Sequence, residues 1–465
     1  MEKLLFSSLI MVSMAITSIS CDDETGTGGA SCFNGIKDGT ETGVDCGGPD
    51  CGPCATCDDG IKNGQETGID CGGPDCVPCT GLITKSGQIT ADETWTSNNI
   101  YILAGKVVVE DGITLTIEPG TIIKGQKGTG SLSSALIVAR GGKIMAEGTS
   151  ESPIIFTSID DNIQVGQKAG TNLNESNNGL WGGVLILGYA KGSFKGDVTE
   201  VQIEGIPAGD TFGLYGGDDD DDNSGVFKYV SIRHGGALIG EGNEINGLTL
   251  GAVGRNTVID NVEVVANFDD GVEFFGGTVN ASNLIVWAQG DDGLDIDQAY
   301  AGTVTNSLVV LGEISDHAFE IDGPEGAYQA QFTISNTTII GNGVTPGGEY
   351  ADYRSKALGA TNNIYAYGFK ESSDVELDNN GVSQNFLDGK LTFSGWEVVG
   401  FDNSIFAEKV AKDQDGNETE SKIILNPDFT ERAAAWTTEV MQGSQTVGAD
   451  LSQFNWTYAK AKGAF

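Results

Sequence analysis

Asn261-Val262-Glu263-Val264-Val265, Asn283-Leu284-Ile285-Val286-Trp287 and Asn306-Ser307-Leu308-Val309-Val310 open three equivalent runs, 22 and then 23 residues apart. Asn336-Thr337-Thr338-Ile339-Ile340 continues the series, and Asn363 and Asn403 extend it less clearly. A repeat of this length fits one coil of a right-handed parallel β-helix. Each coil stacks on the last at about 4.8 Å, so equivalent residues form columns. Asn tolerates the left-handed backbone of a tight turn, and stacked amides hydrogen-bond along the column. A β-sandwich with regular turns does not call for same-residue columns.

An acidic segment follows each of these runs: Asp269-Asp270-Gly271-Val272-Glu273-Phe274-Phe275, Asp291-Asp292-Gly293-Leu294-Asp295-Ile296-Asp297 and Asp316-His317-Ala318-Phe319-Glu320-Ile321-Asp322. Strand alternation sends Val272 and Phe274, Leu294 and Ile296, and Phe319 and Ile321 inward. It sends Glu273, Asp295 and Glu320 outward, one above another. Like charges opposed on neighbouring strands destabilise, so the column asks for a cation, a proton or a ligand donor. A solvated acidic face is the plain alternative. Asp218, Asp219, Asp220, Asp221 and Asp222 put five further carboxylates on one Gly-flanked loop. Calcium takes about six to eight oxygens in irregular geometry and is the ion expected at both clusters.

Outward from this region, from Gly81 onward, short β-rich runs such as Lys106-Val107-Val108-Val109 and Ala135-Leu136-Ile137-Val138 alternate with Gly, Asn and Asp. No long amphipathic helix interrupts them, which excludes βαβ units. Glycine supplies 69 of 465 residues, as a turn-rich all-β chain requires. With 25 Lys and Arg against 66 Asp and Glu, the formal charge of −41 excludes a nucleic-acid binder that works by phosphate neutralisation.

The first 20 residues read as a secretory signal, apolar from Leu4 to Ile19 but too short and Ser-rich to span a membrane. Ser18-Ile19-Ser20-Cys21 resembles a bacterial lipobox, although Ser18 stands where Leu is usual. Cys21 is therefore the expected lipidation site, and acyl chains at about 0.8 kcal/mol per buried methylene would anchor the chain. Residues 21–31 form an acidic linker. Residues 32–79 hold two copies of one four-Cys unit: Cys32, Cys46, Cys51 and Cys54, then Cys57, Cys71, Cys76 and Cys79, 25 residues on. An even count in an exported chain reads as disulfides whose pairing the spacing leaves open; zinc is the alternative. Asn34, Asp38, Glu41 and Asp45 offer oxygens to calcium or simply turn the loop. The pair reads as a stalk, with the β-helix occupying residues 80–465.

Thr114-Leu-Thr-Ile-Glu-Pro-Gly-Thr-Ile-Ile-Lys-Gly125, Trp181-Gly-Gly-Val-Leu-Ile-Leu-Gly188, Tyr229-Val-Ser-Ile-Arg-His-Gly-Gly236 and Asp269-Asp-Gly-Val-Glu-Phe-Phe-Gly-Gly-Thr-Val-Asn280 resemble a family of bacterial surface lipoproteins. These carry a pectate-lyase-like (pectin-lyase-like) right-handed β-helix, and the group includes a spirochaete outer-membrane lipoprotein. The resemblance implies an outer-membrane, surface-exposed location. It implies little about chemistry; the long outward face of a solenoid suits an extended ligand, so the expected role is non-catalytic adhesion or glycan binding, with glycan, matrix or envelope protein as partner and the chain a monomer. A polysaccharide-cleaving enzyme is the alternative. Polygalacturonase-like hydrolases carry Asn-Thr-Asp, Gly-Asp-Asp, Gly-His-Gly and Arg-Ile-Lys on successive coils. The chain offers Asn267-Phe-Asp269, Gly290-Asp291-Asp292, Asp316-His317-Ala318 and Arg354-Ser-Lys356 in the same order. The implied catalytic set is Asp269, Asp291, Asp292 and His317, with Arg354 and Lys356 binding a sugar acid. The third motif lacks both glycines.

Overall fold

The computed structural model describes residues 32, 34–51, 54, 57, 76 and 81–465, apart from 129, 208, 238–244, 344–347, 414–415 and 424–428. The chain divides into two units, Met1–Cys79 and Thr80–Phe465. In the first, Cys32 is bonded to Cys51, Cys46 to Cys54 and Cys57 to Cys76. Bonded sulfurs are not thiolate ligands, so these six cysteines do not form the zinc alternative. Asp45 accepts the backbone N–H groups of Asn34 and Gly35 at 2.7 Å, and Glu41 accepts those of Asp38 and Asp45. These oxygens staple a turn. The signal segment, Cys21, the linker, Cys71 and Cys79 lie outside the described residues.

Among the described residues, the second unit is built on a parallel stack of 26 strands, with a separate antiparallel pair, Val201–Gln202 and Leu214–Tyr215. Each central coil has a long strand bent at its Asn and a short strand after it. Val258–Val265 is followed by Val272–Phe275, and Asn280–Trp287 by Leu294–Asp297. Register is parallel and unbroken across the bend, with Val262 opposite Leu284 and Val265 opposite Trp287. The apolar sides of all coils meet in one continuous core around Trp95, Trp181, Phe274 and Trp396. Val272, Phe274, Leu294, Ile296, Phe319 and Ile321 all lie in it, as strand alternation requires.

The asparagine column is real. Asn261, Asn283, Asn306, Asn336 and Asn363 hold φ between 53° and 57°. The Asn283 amide donates to Asp260, that of Asn306 to Asn283 and that of Asn363 to Asn336. Asn403 does not belong to it: it starts a 3₁₀ turn, Asn403–Ile405, and Gly395 (φ 62°) takes the ladder position instead. A Cβ at Gly395 would approach the Asn363 amide oxygen to 2.7 Å.

Two features finish the stack. Phe386, Phe393, Phe406, Phe429 and Trp436 pack ring on ring against the last coils. The C-terminal segment runs back along the outside, where Phe454 and Tyr458 cover Val265, Ile285, Trp287 and Val310. Glu263, buried beside Arg233, accepts the Ala459 N–H at 2.8 Å and holds this segment down.

Candidate functional site

The short strand of each central coil alternates apolar inside and acidic outside, and stacking turns that alternation into a column. Glu273 lies opposite Asp295, Asp295 opposite Glu320, Glu320 opposite Asp352, and Asp352 opposite Glu376. The column is thus five acids long, two more than the three read from sequence. It faces away from the core but is not solvated: Glu273 is 6% exposed, and Asp295 and Glu320 are 8% each. Walls rise on either side. The column's first three members, Glu273, Asp295 and Glu320, line a groove of about 460 Å³, in which ten of twelve lining residues are Asp or Glu. Phe275 and Arg354 are the other two.

Burial and mutual repulsion raise Asp270, Glu273, Asp291, Asp295, Asp297 and Glu320 above the usual carboxylate range. Burial is the larger cause throughout. Asp270 and Glu273 are raised strongly by burial and then by Asp295, and Asp295 by burial and then by Glu320 and Asp292. Burial and the neighbouring acids lift Asp291 to about 6, Asp352 to about 7, Asp297 to about 8 and Glu320 to about 9. His317 moves the other way for a histidine. Burial pulls it down, but its Nδ1 lies 2.8 Å from Asp292 Oδ1, and with Asp316 and Asp352 nearby it rises to about 10. It is an imidazolium at neutral pH, not a free base.

Cations of the chain itself serve one end of the column. Arg354 clamps Glu320 and also Asp322, the latter at 2.8 Å. Lys409 bridges Asp374 at 3.0 Å and Glu376 at 2.6 Å. At the other end, among the described residues, neither lysine nor arginine pairs with Asp270, Glu273 or Asp295. Asn246 donates its amide to Glu273, Asp270 accepts the Asp292 N–H, and Asp295 Oδ1 is buried without a hydrogen-bond partner. The three acids each bring an oxygen within 4.8 Å of the other two. Two oxygens on one calcium lie at most about 5 Å apart, since each bond is about 2.3–2.6 Å. The set fits a hard cation.

Of the hydrolase-like residues, the structure brings Asp269, Asp291, Asp292, His317 and Arg354 together around this groove. Lys356 is the exception. It sits exposed in a left-handed turn (φ 63°), two residues past Arg354, with its carbonyl bound by Asn385. The loop Asp218–Asp222 lies among cations of the chain itself. Lys191 and Arg255 pair with Asp220, Arg255 pairs with Asp221, and Asp222 is buried against Ser224. Lys191 and Arg255, from outside the loop, offset part of its charge at Asp220 and Asp221. Sequence reasoning missed Glu204, which arrives from an insertion, and did not single out Asp270, Asp352 or Glu376. Asp270 carried a usable signal, because it occupies the same place in its segment as Asp292.

With fold and groove described, the comparison with known families is direct. A family model for the pectate-lyase-like beta helix domain matches residues 87–450. The chain belongs to that family. No curated protein matches it. Among the described residues no helix is long and apolar enough to cross a membrane.

Proposed function

We propose that the protein is a lipid-anchored envelope protein whose β-helix binds glycan without cleaving it, and whose acidic groove is loaded with calcium. The observation that carries this reading is the uneven supply of cations along the acid column. Arg354 and Lys409 neutralise one end; Asp270, Glu273 and Asp295 remain, buried and close together, with an unpartnered oxygen. Asp270, Glu273, Asp295 and the Asn246 carbonyl oxygen would hold the ion. Bound calcium would supply positive charge and coordination positions for sugar hydroxyls.

Two features weigh against an inverting, uronate-cleaving hydrolase. The nearest oxygens of Asp269 and Asp291 lie within 4.8 Å, short of the roughly 6.5–9.5 Å that admits an inverting water between carboxyls and nearer the roughly 5–5.5 Å of a retaining pair. Among the described residues, Arg354 is the one arginine or lysine lining the groove, and it is already tied to Glu320 and Asp322, as His317 is to Asp292, which leaves little positive charge for a uronate. The hydrolase reading keeps one support: Asp291, at the groove mouth, sits near 6, in the range of a general acid.

Affinity electrophoresis of the full chain through gels containing neutral and uronate polysaccharides, in millimolar calcium and then in chelator, tests the proposal. Calcium-dependent retardation with no new reducing ends supports it. Reducing ends that vanish in Asp291→Asn would replace it with the hydrolase, and absence of retardation on every polysaccharide would remove glycan binding.

A further inference from the structure

The insertion between the strands Val184–Leu187 and Gly225–Arg233 supplies Glu204 to the acidic groove, and it also builds a second cavity. This cavity, of about 480 Å³, is different in kind. Phe194 and Val198 from the insertion and Tyr328 from a later loop give it an apolar lining, with Lys191 and Asp218 at its edge. Val198 is 49% exposed and Tyr328 37% exposed, so both present apolar surface to solvent.

The two loops that form it are fastened together across more than a hundred residues of sequence. The Gly326 N–H donates to Ser193 Oγ at 3.0 Å, that of Ala327 to Asp197 Oδ1 at 2.6 Å, and that of Lys195 to Glu325 at 3.2 Å. Asp197 adopts φ 56°, a conformation uncommon outside glycine, in the turn where it makes this contact. The walls are therefore fixed before any ligand arrives.

We propose that this cavity binds a single neutral hexopyranose unit, the end or branch of a glycan chain. A pyranose has an apolar C–H face and a rim of hydroxyls. Tyr328 and Val198 match the face. At the rim, the Asp218 carboxylate accepts hydrogen bonds, and the Lys191 ammonium has three donors, of which Asp220 engages at least one. A uronate is disfavoured because Asp197, Asp218 and Asp220 surround the site and the chain carries −41. The volume lies within the roughly 300–1,000 Å³ of small-ligand sites. This inference rests on the glycan-binding reading and adds a second contact to sugar beside the acidic groove.

Saturation-transfer NMR on the full chain, with the methyl glycosides of glucose, galactose and mannose as probes, tests it. At least one glycoside is expected to receive saturation at its ring C–H protons. Tyr328→Ala should weaken that glycoside by about tenfold or more, with an unchanged melting temperature. Val198→Asp, at an exposed position that tolerates charge, should do the same and serves if the first variant folds poorly. Methyl galacturonate should bind about tenfold more weakly than the best neutral probe. No saturation of any glycoside, full binding by both variants, or galacturonate equal to the neutral sugars would overturn the proposal. Polysaccharide retardation kept by Tyr328→Ala would remove this cavity and leave glycan binding standing. Tyr328-dependent glycoside binding without polysaccharide retardation would do the reverse.

Discussion

Burial lifts the carboxyls of Asp352, Asp297 and Glu320 to about 7, 8 and 9, and this inverts the usual relation between acid groups and stability. Between their ordinary values and these raised ones, the folded chain holds protons that the unfolded chain has released. The unfolding free energy then falls as pH rises. His317 adds the same slope: raised to about 10, it contributes stability below its ordinary 6.5 that is lost as pH climbs through 10. In chelator, the melting temperature is expected to fall steadily from about pH 5 to about pH 9. Calcium competes with those protons, so its stabilising effect should grow over the same interval. At a hundredfold excess over Kd it amounts to about 2.7 kcal/mol. Calorimetry at several pH values, with and without calcium, checks both slopes; a flat profile would show that the groove acids titrate normally. Glu273→Gln sharpens the test. Folding must protonate Glu273, whose carboxyl is raised well above its ordinary value, and a glutamine needs no proton. In chelator at about pH 8 the variant should therefore melt above the parent, while calcium should no longer raise its midpoint.

At the scale of the element, the asparagine ladder sets a definite order of mutant stabilities. Asn283 gives its amide to Asp260 and accepts from Asn306, and it holds φ 55°. Asn283→Ala loses both bonds and leaves a Cβ in the left-handed region, for a cost of about 2–4 kcal/mol. Asn283→Gly loses the bonds but relaxes the backbone, and should cost about 1–2 kcal/mol less. Gly395 in the same column is the chain's own precedent. Urea titrations of the two variants decide it, and equal midpoints would mean that the ladder bonds, not the turn geometry, dominate. The same column explains how far the sequence could be read. Where coils keep a length of 22 or 23 residues, as from Asn261 to Asn306, the repeat is visible and register follows. Beyond Asn306 the coils lengthen to about 30 residues, and the period dissolves just where Asp352 and Glu376 extend the acid column. Outward orientation was legible by alternation for Glu273 and Asp295. Their burial was not, because the walls come from Glu204, Asn246 and Arg354, residues distant in sequence and brought in by loops without a period. The pairing of Lys191 and Arg255 with the Asp218–Asp222 loop was hidden for the same reason.

For the whole molecule, the decisive quantities are a charge of −41 and a site reached only from outside the core. Such a chain is repelled by anionic headgroups, so surface adsorption cannot hold it at a membrane. An envelope role then depends on covalent lipid. In the proposed reading Cys21 would carry it: it follows the apolar segment directly, and it is the odd cysteine beside two units of four. The disulfides Cys32–Cys51, Cys46–Cys54 and Cys57–Cys76 use cysteines within those units and do not draw on Cys21. Acyl chains at about 0.8 kcal/mol per buried methylene outweigh the repulsion of the acidic domain, provided at least two are attached. Phase partitioning of whole cells in detergent measures this directly. The parent protein is expected in the detergent phase and Cys21→Ser in the aqueous phase, while the isolated aqueous form keeps its calcium-dependent melting. A Cys21→Ser protein that still entered the detergent phase would show that something other than lipid holds it, and the anchoring proposal would fall while the groove chemistry stood.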